Sequence, residues 1–317
     1  KILSIHYWMG KKSKGKLARF LSKYIVTDNT SKTTHTSISG GKWNIPPEEI
    51  KQFYKYLNHD FNNKVTIPPL VEKMGDTLPF LIDLDFKFTS KIESKPYTKS
   101  LIKRFIEYLW VRLDEFMEID DETRFNEVLI LEKSKPYPVA NKKSKYKSKD
   151  GIHIVFPKII MEKEKYRFFI DTCLDTDEIN KIFEEEFEIV PSNLQENTIL
   201  DSKFSGWQPY RCAKENEEPY TLTQVYNIVE GNAVELNQAE REMLYTPVKI
   251  MKKMSLHRED LIENMIYHES FTNEFKKKLT RVSSIMSVSS LTSSSSSGSL
   301  NSTSSGEMID PPNGLLN

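Results

Sequence analysis

An eleven-residue run from Leu78 to Phe88, LPFLIDLDFKF, constrains this chain more than any other segment. Strand periodicity sends successive side chains to opposite faces, so one face is apolar and the other carries Asp83, Asp85 and Lys87. Two carboxylates side by side on an otherwise apolar strand repel each other and lose part of their hydration. A divalent cation would compensate both charges, and oxygen ligands suit Mg²⁺ or Mn²⁺. The alternative is an edge strand whose polar face meets solvent.

A second segment, SKDGIHIVFP, places His153 in a run of β-branched and aromatic residues. A lone histidine in a strand is usually structural. Lys149 and Gly151 favour an anion contact instead, because a lysine and an imidazole both bind anions and a glycine lets a ligand approach the backbone closely.

A third segment, NTILDSKFSGWQPYRCAKENEEPY, adds Asp201 at the end of a predicted strand, followed by Arg211 and Lys214. Arginine binds phosphate through a fork of donors, and lysine binds it as a point charge. Taken alone, this segment is also typical of a surface loop with a salt-bridged aspartate.

Between the first two segments, residues 133–149 contain seven lysines, two tyrosines and no acid. Such a stretch is usually a solvated, mobile loop. It would also suit single-stranded template, with lysines on phosphates and tyrosines available for stacking. The lysines predicted to contact template are Lys142, Lys143, Lys145 and Lys147.

Elsewhere the pattern alternates between helix and strand, which predicts an α/β or α+β domain. We expect a hairpin turning at Gly40 and Gly41, a long helix over about 98–118, helices near 164–173 and 177–187, a strand at 197–200, and helices over 236–278. From about Val282 the sequence becomes serine-rich, which predicts a disordered linker.

Composition excludes several classes of protein. The 45 basic and 45 acidic residues balance, so any nucleic-acid binding must come from local patches. Cys173 and Cys212 have no Cys or His companions, which excludes a zinc knuckle or a disulfide framework and favours a reducing compartment. We find neither a membrane-spanning apolar run nor a signal peptide, so we expect an intracellular protein with no membrane partner. Because the chain opens on Lys1 and ends in a polar tail, we expect a piece of a longer protein.

In this order, the three segments resemble the archaeo-eukaryotic primase superfamily, and within it the N-terminal primase domain of the primase-helicases of large nucleocytoplasmic DNA viruses. The resemblance covers roughly residues 34–228. Asp83 and Asp85 match the first motif, and Gly151 to His153, with Lys149, match the second. The third motif is matched by Asp201 with Lys214 or Arg211. The viral pattern has small residues before the final lysine, whereas this chain has Arg211-Cys212-Ala213, so the choice between the two cations stays open. The family's zinc-binding module is not visible, because its cysteines are missing.

The resemblance implies a two-lobed α/β (α+β) fold. Its parts would be an N-terminal α/β lobe over about 1–75 and a catalytic lobe like an RNA-recognition fold over about 76–235. A helical extension over 236–281 and the serine-rich linker over 282–317 would follow.

The resemblance also implies a DNA-replication primase, a nucleotidyltransferase that synthesises short primers on single-stranded DNA from nucleoside triphosphates. Asp83, Asp85 and Asp201 would be catalytic and would hold two Mg²⁺ or Mn²⁺ ions about 3.5–4 Å apart. The triphosphate would lie against His153, Lys149, Arg211 and Lys214.

Further along such proteins lies a superfamily 3 helicase domain, and this chain has no Walker motif of its own. If the protein is viral, we expect it in the host cytoplasm or in a viral replication factory. Two alternatives stay open: a two-metal nuclease that uses water as nucleophile, and a metal-independent single-stranded DNA-binding replication module.

Overall fold

The structure is a computed structural model that describes residues 15–28, 30–119, 126–141, 143–201, 205–214, 217–257, 266–278 and 280. By its internal contacts the chain divides into two units, residues 1–271 and residues 272–317. The first unit holds the two sheets and the candidate site. The described part of the second, residues 272–278 and 280, is helical.

The elements of the first unit follow one another in a mixed order. The strands are β1 (His35–Ser37), β2 (Lys42–Trp43), β3 (Leu70–Lys73), β4 (Thr77–Phe88), β5 (Glu127–Glu132), β6 (Tyr137–Pro138), β7 (Ser148–Glu162), β8 (Gly206–Trp207), β9 (Thr221–Val229) and β10 (Asn232–Glu235). The α-helices are α1 (Lys16–Leu21), α2 (Ile50–Asn62), α3 (Lys99–Asp114), α4 (Lys163–Phe168), α5 (Thr176–Glu186), α6 (Gln238–Leu244) and α7 (Pro247–Met254). Short 3-10 turns cover Ser22–Tyr24 and Pro47–Glu49, and a π-helical turn covers Phe169–Cys173.

The first sheet is antiparallel with the strand order β2-β1-β3-β8. β1 and β2 form the predicted hairpin, and its turn contains Gly40 and Gly41 at φ 108° and 109°, a conformation that favours glycine. β8 comes from far along the chain and pairs with β3, so that Trp207 lies opposite Glu72. This pairing carries the segment after Asp201 back to the N-terminal sheet.

The second sheet has the order β10-β9-β5-β7-β4, with β6 paired to β7, and its strands are also antiparallel. β4 is the edge strand of this order. It pairs with β7 in a register that sets Asp83 opposite His153 and Asp85 opposite Gly151. The two sheets and their covering helices confirm the α+β class.

The apolar face of β4 forms the core of the second sheet. Phe80, Ile82, Leu84 and Phe86 are all buried, as the alternation predicts. Phe86 contacts the ring of Phe183 on α5 edge-on at a centroid distance of 5.9 Å, and Phe183 in turn meets Phe105 on α3 at 5.2 Å. Complete burial of each aromatic side chain contributes about 1.5–3 kcal/mol to folding. A rigid core therefore holds the acidic face of β4 in place.

Several boundaries differ from the predictions. The long helix runs over Lys99–Asp114, with the Thr98 side chain accepting from the Ser100 N–H as its cap. The strand predicted at 197–200 is reduced to a single bridge between Leu200 and Leu84. β7 begins at Ser148, so Lys149 belongs to a strand rather than to the lysine-rich loop. None of the described helices is long and apolar enough to cross a membrane. The predicted linker lies outside the described residues, and the domain boundaries remain predictions.

Candidate active site

Three aspartates line one cavity of about 270 Å³ at the edge of the second sheet. Asp83 and Asp85 project from the same face of β4. Asp201 is brought beside them by the backbone, because the Asp201 N–H donates to the Asp83 carbonyl at 3.0 Å and the Asp85 N–H donates to the Ile199 carbonyl at 2.8 Å. A short antiparallel pairing thus joins an acid distant in sequence to the two on the strand.

The Asp83 carboxyl is surrounded by more negative than positive charge. Burial, with Asp201 and then Asp85 nearby, raises the pKa of Asp83 to about 7, and Lys214 and Lys149 lower it only in part. Its side chain is 25% exposed, so a ligand in the cavity can reach it. The neighbouring lysines therefore compensate only part of the negative charge at Asp83.

Two lysines hold the Asp85 carboxylate. Lys87 lies 3.2 Å from Asp85 Oδ2 and Lys149 lies 3.1 Å from the same oxygen. Both lysines share the polar face of the β4–β7 pair, where they lie opposite each other. Asp85 is thus an ion-paired acid in this arrangement.

The donor set fits a hard divalent cation, because it consists of three carboxylates in a cavity with uncompensated negative charge. Their oxygens are not gathered into one tight cluster. Among the described residues, the group whose metal-ligating atoms all lie within 4.8 Å of one another is a different one, His35, Glu72 and His257.

His153 is covered by aromatic rings. Tyr220 stacks on the imidazole at a centroid distance of 3.6 Å and an interplanar angle of 18°, and Trp207 approaches to 4.3 Å. Its Nε2 lies 3.5 Å from Asp83 Oδ1. Burial, followed by the charges of Lys133 and Lys214, lowers the pKa of His153 to about 3. The imidazole is therefore neutral near pH 7 and can offer a hydrogen bond but not a charge.

Gly151, two residues before His153, leaves room for the Tyr220 side chain. A Cβ at Gly151 would lie 2.6 Å from the Tyr220 hydroxyl and 2.7 Å from the Leu84 carbonyl oxygen. The space expected to admit a ligand is occupied by this tyrosine.

Sequence reasoning overlooked most of the aromatic and basic lining of the cavity. Trp207, Tyr220, Tyr137, Lys133 and Glu217 all line it. The buried Lys133 ammonium donates to Glu217 Oε2 at 2.7 Å and lies 3.6 Å from the centroid of the Tyr137 ring. The sequence pattern predicts Lys133 only as one member of a lysine-rich loop. Its position directly after the apolar run EVLILE was the available signal that it continues the face of a strand.

The structure separates the two candidate cations of the third motif. Lys214 lines the cavity together with the aspartates. Arg211 does not: its Nη1 donates to Asn58 Oδ1 at 3.2 Å and Asn62 Oδ1 at 3.0 Å, and its guanidinium lies over the Phe61 ring of α2. Arg211 thus ties its loop to the N-terminal helix, while Lys214 faces the acids.

The lysines predicted to contact template differ in their surroundings. Lys143 and Lys147 are exposed. Lys145 forms an ion pair with Glu196, whose other oxygen accepts from the Tyr146 hydroxyl at 2.8 Å. Lys142 lies outside the described residues.

The raised pKa of Asp83 predicts how stability changes with pH in the absence of metal. Because folding raises the pKa of Asp83, the folded state binds a proton more tightly than the unfolded state. The free energy of unfolding therefore falls as pH rises from about 4 to about 7, where the folded protein loses that proton. Asp83→Asn should remove this dependence and be the more stable protein at pH 8, by up to a few kcal/mol. Urea unfolding of both proteins at pH 4, 6 and 8, with a chelator present, measures their free energies of unfolding. A difference between the two proteins that does not change with pH would contradict the assigned environment.

Gly151→Ala should displace Tyr220 or push β7 from β4, because one neighbour of the new methyl is backbone. We expect a loss of about 1–3 kcal/mol in unfolding free energy, the usual cost of overpacking. Gly75→Ala is the matched control, since its Cβ would meet only the Thr77 carbonyl oxygen at an ordinary 3.6 Å. Equal stability of the two variants in urea unfolding would show that the Tyr220 contact is not as tight as described.

An α+β fold whose edge strand presents paired aspartates, with a third aspartate and lysines in the same cavity, defines a domain of the archaeo-eukaryotic primase (AEP) type. The family model described as the C962R protein N-terminal AEP domain matches residues 34–226, and this chain belongs to that family. The resemblance inferred from the motifs is therefore confirmed. A comparison with curated proteins found no match. Family membership supports a primase-type nucleotidyltransferase role, with single-stranded DNA and nucleoside triphosphates as substrates and divalent metals as the usual cofactors.

Proposed function

We propose that this domain starts nucleic acid chains on unprimed single-stranded DNA by joining two nucleoside triphosphates. In this step the 3′-hydroxyl of the first nucleotide attacks the α-phosphorus of the second, and pyrophosphate leaves. The observation that carries the proposal is the shared cavity of Asp83, Asp85 and Asp201, with Lys149 and Lys214 in the same lining.

The three aspartates would hold the divalent cations, Mg²⁺ or Mn²⁺. When bound, two such ions would supply activation of the attacking hydroxyl and stabilisation of the leaving oxygen. Asp83 is the acid with the least compensation, and Asp201 is held beside it through backbone pairing.

The lysines would neutralise the triphosphate. Lys149 lines the cavity and contacts Asp85, and Lys87 contacts the same carboxylate, so both ammonium groups would lie close to a triphosphate bound there. Lys214 adds a third positive charge at the cavity. His153, neutral and fixed between Tyr220 and Trp207, would orient a phosphate or sugar oxygen through a hydrogen bond.

The template would pass along the loop between β6 and β7. Its described lysines Lys143, Lys145 and Lys147 are all exposed, and Lys143 and Lys147 would contact phosphates directly. Lys145 would have to leave Glu196 to do the same. We further propose that the domain works inside the cell as the N-terminal part of a longer primase-helicase, with the helicase further along the chain.

The test has three arms with the full chain on labelled, unprimed single-stranded DNA. With Mg²⁺ or Mn²⁺ and nucleoside triphosphates, we expect short new strands and an intact template. Loss of template without nucleotides would identify a two-metal nuclease instead. Salt-sensitive binding with no metal-dependent product would identify a binding module.

A further inference from the structure

A second group of metal-ligating side chains lies in the N-terminal sheet. His35 on β1, Glu72 on β3 and His257, three residues beyond α7, have ligand atoms within 4.8 Å of one another. His35 and Glu72 are 0% and 2% exposed, and His257 is half-buried. None of the three lines the cavity of the aspartates.

The Glu72 carboxylate is held in one orientation. Its Oε1 accepts from the Tyr54 hydroxyl at 2.6 Å, and its Oε2 accepts from the Leu256 N–H at 2.8 Å and from Ser255 Oγ at 3.3 Å. These donors come from α2 and from the segment after α7. A buried carboxylate with such fixed donors is a preorganised ligand.

The hydrogen bonds around His35 determine which of its ring nitrogens carries the proton. Nδ1 lies 3.0 Å from Thr34 Oγ1, and that hydroxyl already donates its single hydrogen to the Trp43 carbonyl at 3.3 Å and accepts from the Ile45 N–H. With the hydroxyl hydrogen directed to Trp43, Nδ1 is the donor in this contact. In the neutral ring, Nε2 then carries no hydrogen and presents a lone pair.

Two imidazole nitrogens in this group have no hydrogen-bond partner in the structure. They are Nε2 of His35 and Nε2 of His257, and both atoms are buried. His35 Nε2 lies 3.8 Å from Glu72 Oε1, too far for a hydrogen bond. A buried lone pair facing a carboxylate is unfavourable unless a cation lies between them.

We infer that His35, Glu72 and His257 bind one transition-metal dication of the zinc type. Two imidazoles and a carboxylate form a recognised zinc ligand set, and Zn–N and Zn–O distances of about 2.0–2.2 Å place tetrahedral ligand atoms about 3.4 Å apart. The ligand atoms lie within 4.8 Å of one another, so their separations need to contract by at most about 1.4 Å. The Nδ1 donor of His35 is the outer contact that fixes a zinc-binding imidazole.

The ion would join the segment after α7 to the N-terminal sheet. His257 lies 185 residues beyond Glu72 in the chain, so the site closes a long loop and should stabilise the fold. This role is structural and does not depend on the proposed primase activity.

The test is Zn²⁺ and Co²⁺ binding to the full chain after chelation. In excess Mg²⁺, which saturates the aspartates if they bind divalent cations, we expect one equivalent of Zn²⁺ per chain, a higher thermal midpoint with Zn²⁺, and the intense visible absorption of tetrahedral Co²⁺. His257→Gln and His35→Gln should lose the absorption and the Zn²⁺-dependent rise. Asp83→Asn and His59→Gln should keep both, which separates this site from the aspartates and from other histidines.

Circular dichroism establishes that each variant is folded, and His257→Gln is the decisive one because its side chain is only half-buried. Binding that disappears in folded His257→Gln supports the site. No stoichiometric Zn²⁺ in the native chain, or equal Zn²⁺ affinity in native and His257→Gln protein, would overturn it in favour of a protonated His35 paired with Glu72.

Discussion

Asp83→Asn should reduce primer initiation by about 10³-fold, equivalent to about 4 kcal/mol of transition-state stabilisation. The substitution keeps the size of the side chain and removes the charge that burial, Asp201 and Asp85 already oppose. The variant should therefore be inactive while it remains folded and, without metal, more stable than the native chain at pH 8. Initial rates on unprimed template, with Mn²⁺ titrated, measure the effect.

The matched control is Asp171→Asn, which removes the same charge from an exposed aspartate on the π-helical turn. It should retain native activity. If Asp83→Asn lost activity because it unfolded, the aspartates would be structural ion-pair partners, and the interpretation as a catalytic centre would fail.

Lys214→Ala should lower kcat/KM for nucleotide incorporation by about 10²-fold, since it removes a positive charge that lines the cavity of the aspartates. Lys214→Arg, which keeps the charge, should recover most of the rate. Steady-state kinetics with varied triphosphate concentration measures both variants.

Arg211→Ala is the contrasting substitution. Arg211 contacts Asn58, Asn62 and Phe61, so its loss should cost about 1–2 kcal/mol of stability and leave the kinetics nearly native. The reverse pattern, with kinetics sensitive to Arg211 and insensitive to Lys214, would assign the phosphate contact to the arginine.

The sequence predicts the elements whose pattern is local. β4 combines strict alternation with complete burial of one face, so both its existence and its acidic face can be read from the residues. The hairpin at Gly40 and Gly41 is likewise a short-range signal. β3 and β8 have four and two residues; β3 pairs with β1 and with β8, and β8 exists only through its pairing with β3 across more than 130 positions. Such strands carry no periodicity of their own.

The same distinction applies to the site. Asp83 and Asp85 can be predicted because they lie in a strand with clear alternation, and His153 because it lies in a continuous apolar run typical of a buried strand. The choice between Arg211 and Lys214 depends on where a loop contacts α2. The packing of Trp207 and Tyr220 on His153 depends on contacts between segments that are distant in sequence. The pairing of Asp85 with Lys149 follows from strand register, which the sequence leaves open, whereas Lys87 shares the face of β4 with Asp85 by alternation.

The central claim is tested most directly by looking for the first bond of a new chain. Native protein, unprimed single-stranded DNA, Mn²⁺ and nucleoside triphosphates are incubated, and the dinucleotide and pyrophosphate are measured by mass spectrometry. We predict equimolar dinucleotide and pyrophosphate with the native chain and neither with Asp83→Asn. Dinucleotide formed at the native rate by Asp83→Asn, or none formed by a native chain that binds template, would contradict the claim.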